Sequence, residues 1–217
     1  MWLKRASIVV LFSGNGTNLQ AIIEAISLQK INGYIACVVC NNKDAYGIKR
    51  AKEANLNVVI LDHKQYNTRE EFDRELADKI EDYHPDLIVL AGFMRILSKE
   101  FILRFSSKII NIHPSLLPKY PGLNTHARVI ESGERDHGVS VHYVTEDLDG
   151  GPICAQSFLR IESSSEDLEK RIHDLEYRIY PFVINLITTR VMKLENKVIY
   201  LNNDKISTSG LIFEDLR

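Results

Sequence analysis

Short apolar runs alternate with amphipathic segments along the first half of the chain, and this alternation predicts its secondary structure. The apolar runs are rich in β-branched residues and have the character of buried strands. They cover residues 8–12, 35–40, 58–61, 86–91 and 109–113. Between them, apolar side chains recur at helical spacing over residues 19–26, 46–54, 68–83 and 99–105. Strands that alternate with helices in this way predict a parallel sheet with helices on both faces.

The second half of the chain departs from this alternation. A short helix is expected from a cap at Asn124 or Thr125 to Gly133, followed by strands over 138–144 and 153–161. A further helix is expected over 165–179, with Pro181 kinking or ending it. The remaining residues predict short strands around two asparagine-containing turns, and a loose tail.

The predicted fold class is therefore α/β. We expect a Rossmann-like, mostly parallel twisted sheet with helices on both faces, and antiparallel strands added in the C-terminal half. A length of 217 residues suits a single domain over 1–217. We divide it into an N-terminal half of about 1–105 and a C-terminal half of about 106–217.

Charge and hydropathy narrow the functional classes. The net charge of −2 gives no overall basic field of the kind that attracts nucleic acid or an anionic membrane. The longest early apolar run, 8–12, is too short for a signal peptide or a membrane span. We therefore expect a cytoplasmic protein without nucleic-acid or membrane partners.

The cysteines do not indicate a metal or redox site. Cys37 and Cys40 form a C-x-x-C pair, but they lie on a predicted strand, where positions i and i+3 face opposite ways. Two packed core thiols are the favoured interpretation. Because we identify no other His or Cys pair with the spacing of a helix-face or knuckle site, we predict no metal.

Two polar side chains interrupt the apolar run at 109–113. Asn111 and His113 are two residues apart on a predicted strand, so they project to the same face at its carboxyl end. In open α/β sheets this is where ligands bind. An imidazole can move protons near neutral pH, and an amide can donate to a developing oxyanion. The alternative is a hydrogen-bonded pair that only closes the strand end.

A glycine-containing loop follows the first predicted strand. The loop has Leu19 in place of the third glycine of a dinucleotide fingerprint, and Asn41-Asn42 where an acidic residue would follow the second strand. A nicotinamide cofactor is therefore disfavoured. A single phosphate bound by Gly16, Thr17 and Asn18 at a helix N-terminus is one interpretation, and a tight turn with a polar cap is the other.

The remaining polar candidates are weaker. Asp149-Gly150-Gly151 is typical of a turn, unless its carboxylate serves the imidazole of His113. His63, His84 and His137 have polar sequence neighbours and are expected to be solvated. His126 and His142 are open to a cleft, core or surface role.

Four segments together resemble the folate-dependent formyltransferases. They are Ser13-Gly-Asn-Gly-Thr-Asn-Leu-Gln, Leu90-Ala-Gly-Phe-Met-Arg-Ile-Leu, Asn111-Ile-His-Pro-Ser-Leu-Leu-Pro-Lys-Tyr-Pro-Gly and Leu148-Asp-Gly-Gly-Pro. The resemblance runs from about residue 8 to 181. The glycine loop and the short length are similar to the branch that acts on glycinamide ribonucleotide.

The resemblance implies an enzyme of purine synthesis that moves a formyl group from 10-formyltetrahydrofolate, its cosubstrate, to the amine of glycinamide ribonucleotide. The implied partners are small molecules, and the protein itself would be a monomer or homodimer. The N-terminal half would bind phosphate, and the C-terminal half would carry the catalytic and folate loops.

The resemblance also implies roles for individual residues. The catalytic set is Asn111, His113 and Asp149. The nucleotide set is Gly16, Thr17, Asn18, His173, Asp174, Leu175 and Glu176. The folate set is Arg69, Met94, Arg95, Ile96, Leu97, Asn111, Thr145, Glu146, Asp147, Leu148 and Asp149. The chain departs from the family's sequence pattern at two places. Asn124 replaces a usual histidine, and only Glu176 matches the family well in segment 173–176.

Other functions remain alternatives at this point. A formyltetrahydrofolate hydrolase would share the catalytic set but resembles this chain with an added N-terminal regulatory domain. A formyltransferase acting on initiator tRNA resembles it with an added C-terminal domain, and we expect neither here. A non-catalytic module that binds a phosphorylated metabolite could use the same fold.

Overall fold

A computed structural model describes residues 4–161 and 167–215. The chain divides into two compact units, residues 1–110 and 111–217. The division falls inside the strand Ile109–His113 (β5).

The first unit is built from alternating strands and helices. Its strands are Ala6–Phe12 (β1), Gly33–Cys40 (β2), Val58–Ile60 (β3) and Leu87–Leu90 (β4), followed by the start of β5. Its helices are Thr17–Ser27 (α1), Gly47–Glu53 (α2), Arg69–Glu81 (α3) and Lys99–Arg104 (α4). The strands lie in the order β4-β1-β2-β3, and all three pairings are parallel.

The apolar runs of the sequence form the core of this unit. Every residue of β1 and β4 is buried, as expected for strands covered on two sides. The predicted stripe of α3 is confirmed, since Phe72, Leu76 and Ile80 are fully buried. Thr68 caps this helix by accepting a hydrogen bond from the Glu71 amide, which satisfies one free N–H of the first turn.

The second unit contains the antiparallel strands. Its helices are Thr125–Glu131 (α5) and Leu168–Thr188 (α6). Its strands are Asp136–Tyr143 (β6), Ile153–Arg160 (β7), Met192–Glu195 (β8), Val198–Leu201 (β9), Asp204–Lys205 (β10) and Leu211–Glu214 (β11). β6 pairs antiparallel with β7, and β8, β9 and β10 form a small antiparallel sheet. The predicted fold class, mostly parallel with antiparallel strands added late, is confirmed.

Two local predictions for this unit were wrong. α6 continues past Pro181 to Thr188, because Tyr180, Val183 and Ile184 bury its apolar face and outweigh the lost hydrogen bond. The tail is not loose, since β11 pairs in parallel with β7. The predicted cap position of α5 is confirmed at Asn124, which has a left-handed conformation, φ 57°, and whose side chain makes no capping bond. The predicted helix start at Ser165 lies outside the described residues.

Within residues 4–161 and 167–215, no helix is long and apolar enough to cross a bilayer. In the same ranges, no group of three or more His, Cys, Asp or Glu side chains is placed to hold a metal ion. Cys37 and Cys40 are free, buried thiols, and burial raises the pKa of both. Their predicted place in the core is confirmed.

Candidate active site

The polar end of β5 lies in the second unit. Ile110 and Ile112 are buried, 0% and 6% exposed, while Asn111 between them is half-buried. His113 is 5% exposed, so its surroundings are set by protein groups. The side-chain alternation predicted for this strand therefore brings one amide and one imidazole to the same region.

Asp149 reaches this region from the loop between β6 and β7. Its Oδ2 atom lies 3.6 Å from His113 Nδ1, and the two side chains are only 9% and 7% exposed. The same oxygen accepts a hydrogen bond of 2.8 Å from the Gly122 amide. At 3.6 Å the imidazole contact is an ion-pair distance, longer than a hydrogen bond. The structure thus brings together the three residues of the implied catalytic set.

Backbone geometry holds the Asp149 carboxylate in place. Asp149 has φ +51°, which costs about 1 kcal/mol for a residue with a side chain. The bond from Gly122 to a charged acceptor contributes about 1.5–3 kcal/mol, enough to offset that strain. Any side chain at Gly151 would place its Cβ 1.8 Å from the Tyr143 carbonyl oxygen. Glycine at 151 therefore lets the loop fold back against the end of β6.

Both ring nitrogens of His113 face protein acceptors. Nε2 lies 2.9 Å from the Tyr120 carbonyl oxygen, which can only accept, so Nε2 carries a proton. Nδ1 faces the Asp149 carboxylate. A protonated His113 would act on a nearby oxyanion through its charge, because its Nε2–H is bound to Tyr120 and its Nδ1 faces the Asp149 carboxylate.

His142 orients the amide of Asn111. Its Nδ1 donates to the Tyr143 carbonyl oxygen at 2.9 Å, so a neutral ring has a lone pair on Nε2. That lone pair accepts from Asn111 Nδ2 at 3.2 Å. Burial lowers the pKa of His142, which favours the neutral ring, and its 3.7 Å separation from Asp149 is therefore not an ion pair. Asn111 keeps a second N–H for a ligand.

The role of His142 was missed from the sequence, although β6 carried a signal. Ser140 and His142 are polar residues two positions apart in a strand whose other face holds Val139, Val141 and Tyr143. Ser140 Oγ donates to the Ser115 carbonyl and accepts from the Leu117 amide. One face of β6 thus supports the loop that follows β5, in which the Leu117-Pro118 bond is cis.

A second histidine pair lies in the same unit. The prediction that His137 is solvated was wrong, since it is 1% exposed and its Nε2 lies 2.9 Å from His126 Nδ1. Burial lowers the pKa of His137 to about 4 and also lowers that of His126. Both rings are therefore neutral near pH 7, and they pack edge to face.

The glycine loop after β1 lies in the first unit. Gly16 has φ +69° and precedes α1, and a Cβ there would lie 2.8 Å from the Gly47 Cα. Gly14 has no atom within 4 Å of such a position. Gly16 is therefore required by packing and conformation, while Gly14 leaves the main chain open to a ligand. Arg50 Nε donates to the Asn15 carbonyl and fixes the loop.

The loop is followed by the helical residues of the implied phosphate site. Thr17 is half-buried and Asn18 is buried, in the first turn of α1. The N-cap residue, Gly16, has no side chain to cap this turn, and the positive end of the helix dipole there favours an anion.

The segment Met94–Leu97 also lies in the first unit. Met94 and Ile96 are 70% and 56% exposed, whereas Leu97 is buried in the core. The Arg95 guanidinium stacks 4.5 Å above the Phe72 ring. The structure therefore makes Met94 and Ile96 available to a ligand and gives the Leu97 side chain a packing role.

Arg69 lies near Ser98, which follows the segment Met94–Leu97. It pairs with Glu70 at 3.1 Å and lines an open pocket of about 440 Å³ together with Ser98 and Lys99. The pocket also includes Glu100, so its charges are mixed.

The implied contacts on α6 and on the loop after β6 differ in exposure. Leu175 is 1% exposed and packs in the core, so its side chain is not open to a ligand. His173 and Asp174 are half-buried, and Glu176 is buried. In the loop, Thr145 is half-buried, while Glu146, Asp147 and Leu148 are exposed.

Comparison with known proteins gives one consistent result. The formyl transferase family model matches residues 6–184. The chain is 44% identical to the phosphoribosylglycinamide formyltransferase of Escherichia coli K12, over 94% of this chain and 97% of that protein. The corresponding enzyme of Haemophilus influenzae is 46% identical, with the same shares covered. The solved structure of the Coxiella burnetii phosphoribosylglycinamide formyltransferase superposes with a TM-score of 0.92 and 48% identity, covering 96% of this chain and 99% of that one.

The buried His137 predicts a loss of stability in mild acid. The folded pKa of about 4 lies below the unfolded value of about 6.5. The contribution of the neutral ring to the free energy of unfolding is therefore complete above pH 6.5 and is lost as pH falls toward 4. The full difference between the two pKa values corresponds to a change of up to about 3 kcal/mol in the free energy of unfolding. We expect urea midpoints of the wild type to fall between pH 7 and pH 5, and to fall less in His137→Asn.

The matched control is His84→Asn, at an exposed histidine whose φ of 44° suits asparagine. It should retain the wild-type pH dependence. Equal pH dependence in wild type and His137→Asn would contradict this assignment.

Proposed function

The chain belongs to the formyl transferase family, and we propose that it transfers the formyl group of 10-formyltetrahydrofolate to the amine of glycinamide ribonucleotide. The name of its bacterial relatives describes formyl transfer to phosphoribosylglycinamide, and a relative in Gallus gallus is named a trifunctional purine biosynthetic protein. The observation that carries the proposal is the contact of Asp149 with His113 at 3.6 Å, beside the oriented amide of Asn111.

The nucleotide's phosphate is assigned to the glycine loop. Gly16, Thr17 and Asn18 supply main-chain N–H groups at the start of α1, where the helix dipole favours an anion. Gly14 leaves room for the close approach of phosphate oxygens. On α6, His173, Asp174 and Glu176 are assigned to the rest of the nucleotide, and Leu175 is left out because its apolar side chain packs in the core.

The folate is assigned to two surfaces. The exposed side chains of Met94 and Ile96 offer an apolar contact for its ring system, next to Arg95. The loop of Thr145, Glu146, Asp147 and Leu148 provides the second surface, and it leads directly to Asp149. Arg69 offers a cation for the carboxylate tail of the folate.

The reaction begins when the amine nitrogen attacks the formyl carbon. A new C–N bond forms, and the carbonyl oxygen becomes an oxyanion. Asn111 retains an N–H that can donate to this oxyanion, because its other N–H is bound by His142. Protonated His113 adds a positive charge at short range, with its ring held between Tyr120 and Asp149.

The intermediate then collapses. The bond between the formyl carbon and N10 of the folate breaks, and N10 takes up a proton as the attacking nitrogen loses one. Asp149 keeps His113 charged and oriented through both steps, and water can carry the proton between the two nitrogens. The products are formylglycinamide ribonucleotide and tetrahydrofolate, so no outside oxidant or energy source is needed.

We expect that deformylation of 10-formyltetrahydrofolate by the purified protein requires glycinamide ribonucleotide. The expected product is the formylated nucleotide, in equal amount to the tetrahydrofolate released. Deformylation without the nucleotide would instead identify a hydrolase. Ligand binding with no turnover would identify a binding module.

The variant Asp149→Asn keeps the shape of the side chain but removes its charge. We expect turnover to fall by about a hundredfold or more, with much smaller changes in substrate binding, because the lost interaction serves mainly the transition state. Asp204→Asn, at an exposed position on β10, is the matched control and should keep full turnover. Near-normal turnover of Asp149→Asn would refute the role assigned to this carboxylate.

A further inference from the structure

Ser13 stands between two segments of the first unit that the proposed function assigns to different substrates. It follows the last residue of β1 and directly precedes the glycine loop. Its backbone amide donates to the Gly92 carbonyl at 3.0 Å, and its Oγ accepts from the Met94 amide at 2.8 Å. Ser13, which precedes the glycine loop, is thus bonded twice to residues 92–94, where the segment assigned to folate begins. We call this segment, Met94–Leu97, the folate segment.

These two bonds lie beyond the regular sheet. The register between β1 and β4 ends with Leu11 opposite Leu90, and the Ala91 amide makes the last bond of this kind, to the Leu11 carbonyl. After Ala91 the chain turns through Gly92, whose φ is +74°. Beyond Ala91, the hydrogen bonds between this segment and the end of β1 are those that Ser13 makes to Gly92 and Met94.

The far end of the segment has its own anchor. The Ser98 amide donates to the buried Asp73 carboxylate, and Ser98 caps α4. Between the two anchors, Met94 and Ile96 present their side chains to solvent. The folate segment is therefore a short bridge, fixed at one end by Ser13 and at the other by Asp73.

We propose that Ser13 is a positioning residue that couples the two substrate sites, so that a nucleotide in the glycine loop tightens the binding of folate to Met94–Leu97. This inference rests on the proposed function for the identity of the two ligands. A phosphate that orders residues 14–18 restrains Ser13 and, through the Oγ bond, the Met94 amide. The folate then meets a segment that is already ordered, and the coupling must be equal in both directions.

Ser7 provides a matched comparison on the same strand. Its Oγ donates to the Tyr83 carbonyl at 3.0 Å and it is 5% exposed, so it makes a hydroxyl bond to the backbone of the same unit. It lies at the opposite end of β1 from the glycine loop. Ser7→Ala therefore removes a comparable bond that touches neither ligand segment.

The test measures binding of tetrahydrofolate by calorimetry, with and without saturating glycinamide ribonucleotide. We expect the nucleotide to tighten wild-type binding by about fivefold or more, within the usual range for coupled sites. Ser13→Ala should bring this ratio close to one, and Ser7→Ala should leave it at the wild-type value. A wild-type ratio of one, or an unchanged ratio in Ser13→Ala, would overturn the proposal.

Hydrogen exchange of the Met94 amide tests the same link in the wild-type protein and does not depend on the folding of a variant. Glycinamide ribonucleotide alone should slow this exchange severalfold, while the Ser98 amide, held by Asp73, should change little. Unchanged exchange at Met94 in the saturated protein would overturn the proposal.

Failure of the coupling is distinguishable from failure of the proposed function. A wild type that carries out nucleotide-dependent formyl transfer without coupled binding keeps its proposed function and loses only the role of Ser13. A wild type that binds neither tetrahydrofolate nor the nucleotide loses both.

Discussion

The carboxylate of Asp149 is the group on which the candidate active site depends. It accepts from the Gly122 amide at 2.8 Å, lies 3.6 Å from His113 and 3.7 Å from His142, and is almost completely buried. A buried charge of this kind is tolerated only when it is paired and hydrogen-bonded. The loop after β5 supplies the amide and β5 supplies the imidazole, so the negative charge fixes the relative position of two chain segments. Removing it would leave His113 without a counter-charge.

The two imidazoles near this carboxylate, His142 and His113, differ in their surroundings and in their hydrogen-bond partners. His142 is neutral because burial disfavours its charged form, and a neutral ring can accept the Asn111 amide hydrogen. His113 differs because its ring lies between a carbonyl and a carboxylate, which both favour N–H donors. Two imidazoles within reach of one carboxylate thus serve different purposes. One orients a hydrogen-bond donor, and the other supplies charge to the proposed transition state.

Much of this could be predicted from the sequence, because periodicity reports directly on buried strands and helix faces. The alternation at 109–113 predicted that Asn111 and His113 share a side. The glycine loop left an anion site and a tight turn with a polar cap as alternatives. The contact of Asp149 could not be predicted from spacing, since a turn residue 36 positions beyond His113 is positioned only by tertiary structure. His137 was misjudged because its charged sequence neighbours say nothing about burial on β6. The predicted helix ended too early, at residue 179, because packing of the apolar face of α6 outweighs the local cost of Pro181.

The central claim is that Asp149 and His113 act as one unit, and a double-variant cycle of turnover tests it most directly. Wild type, Asp149→Asn, His113→Asn and the combined variant would be compared in nucleotide-dependent formyl transfer. If the carboxylate acts through the imidazole, the combined variant should lose hardly more turnover than the more damaging single variant. Losses that multiply, so that the combined variant shows the product of both single effects, would mean that the two residues act independently and would contradict this account.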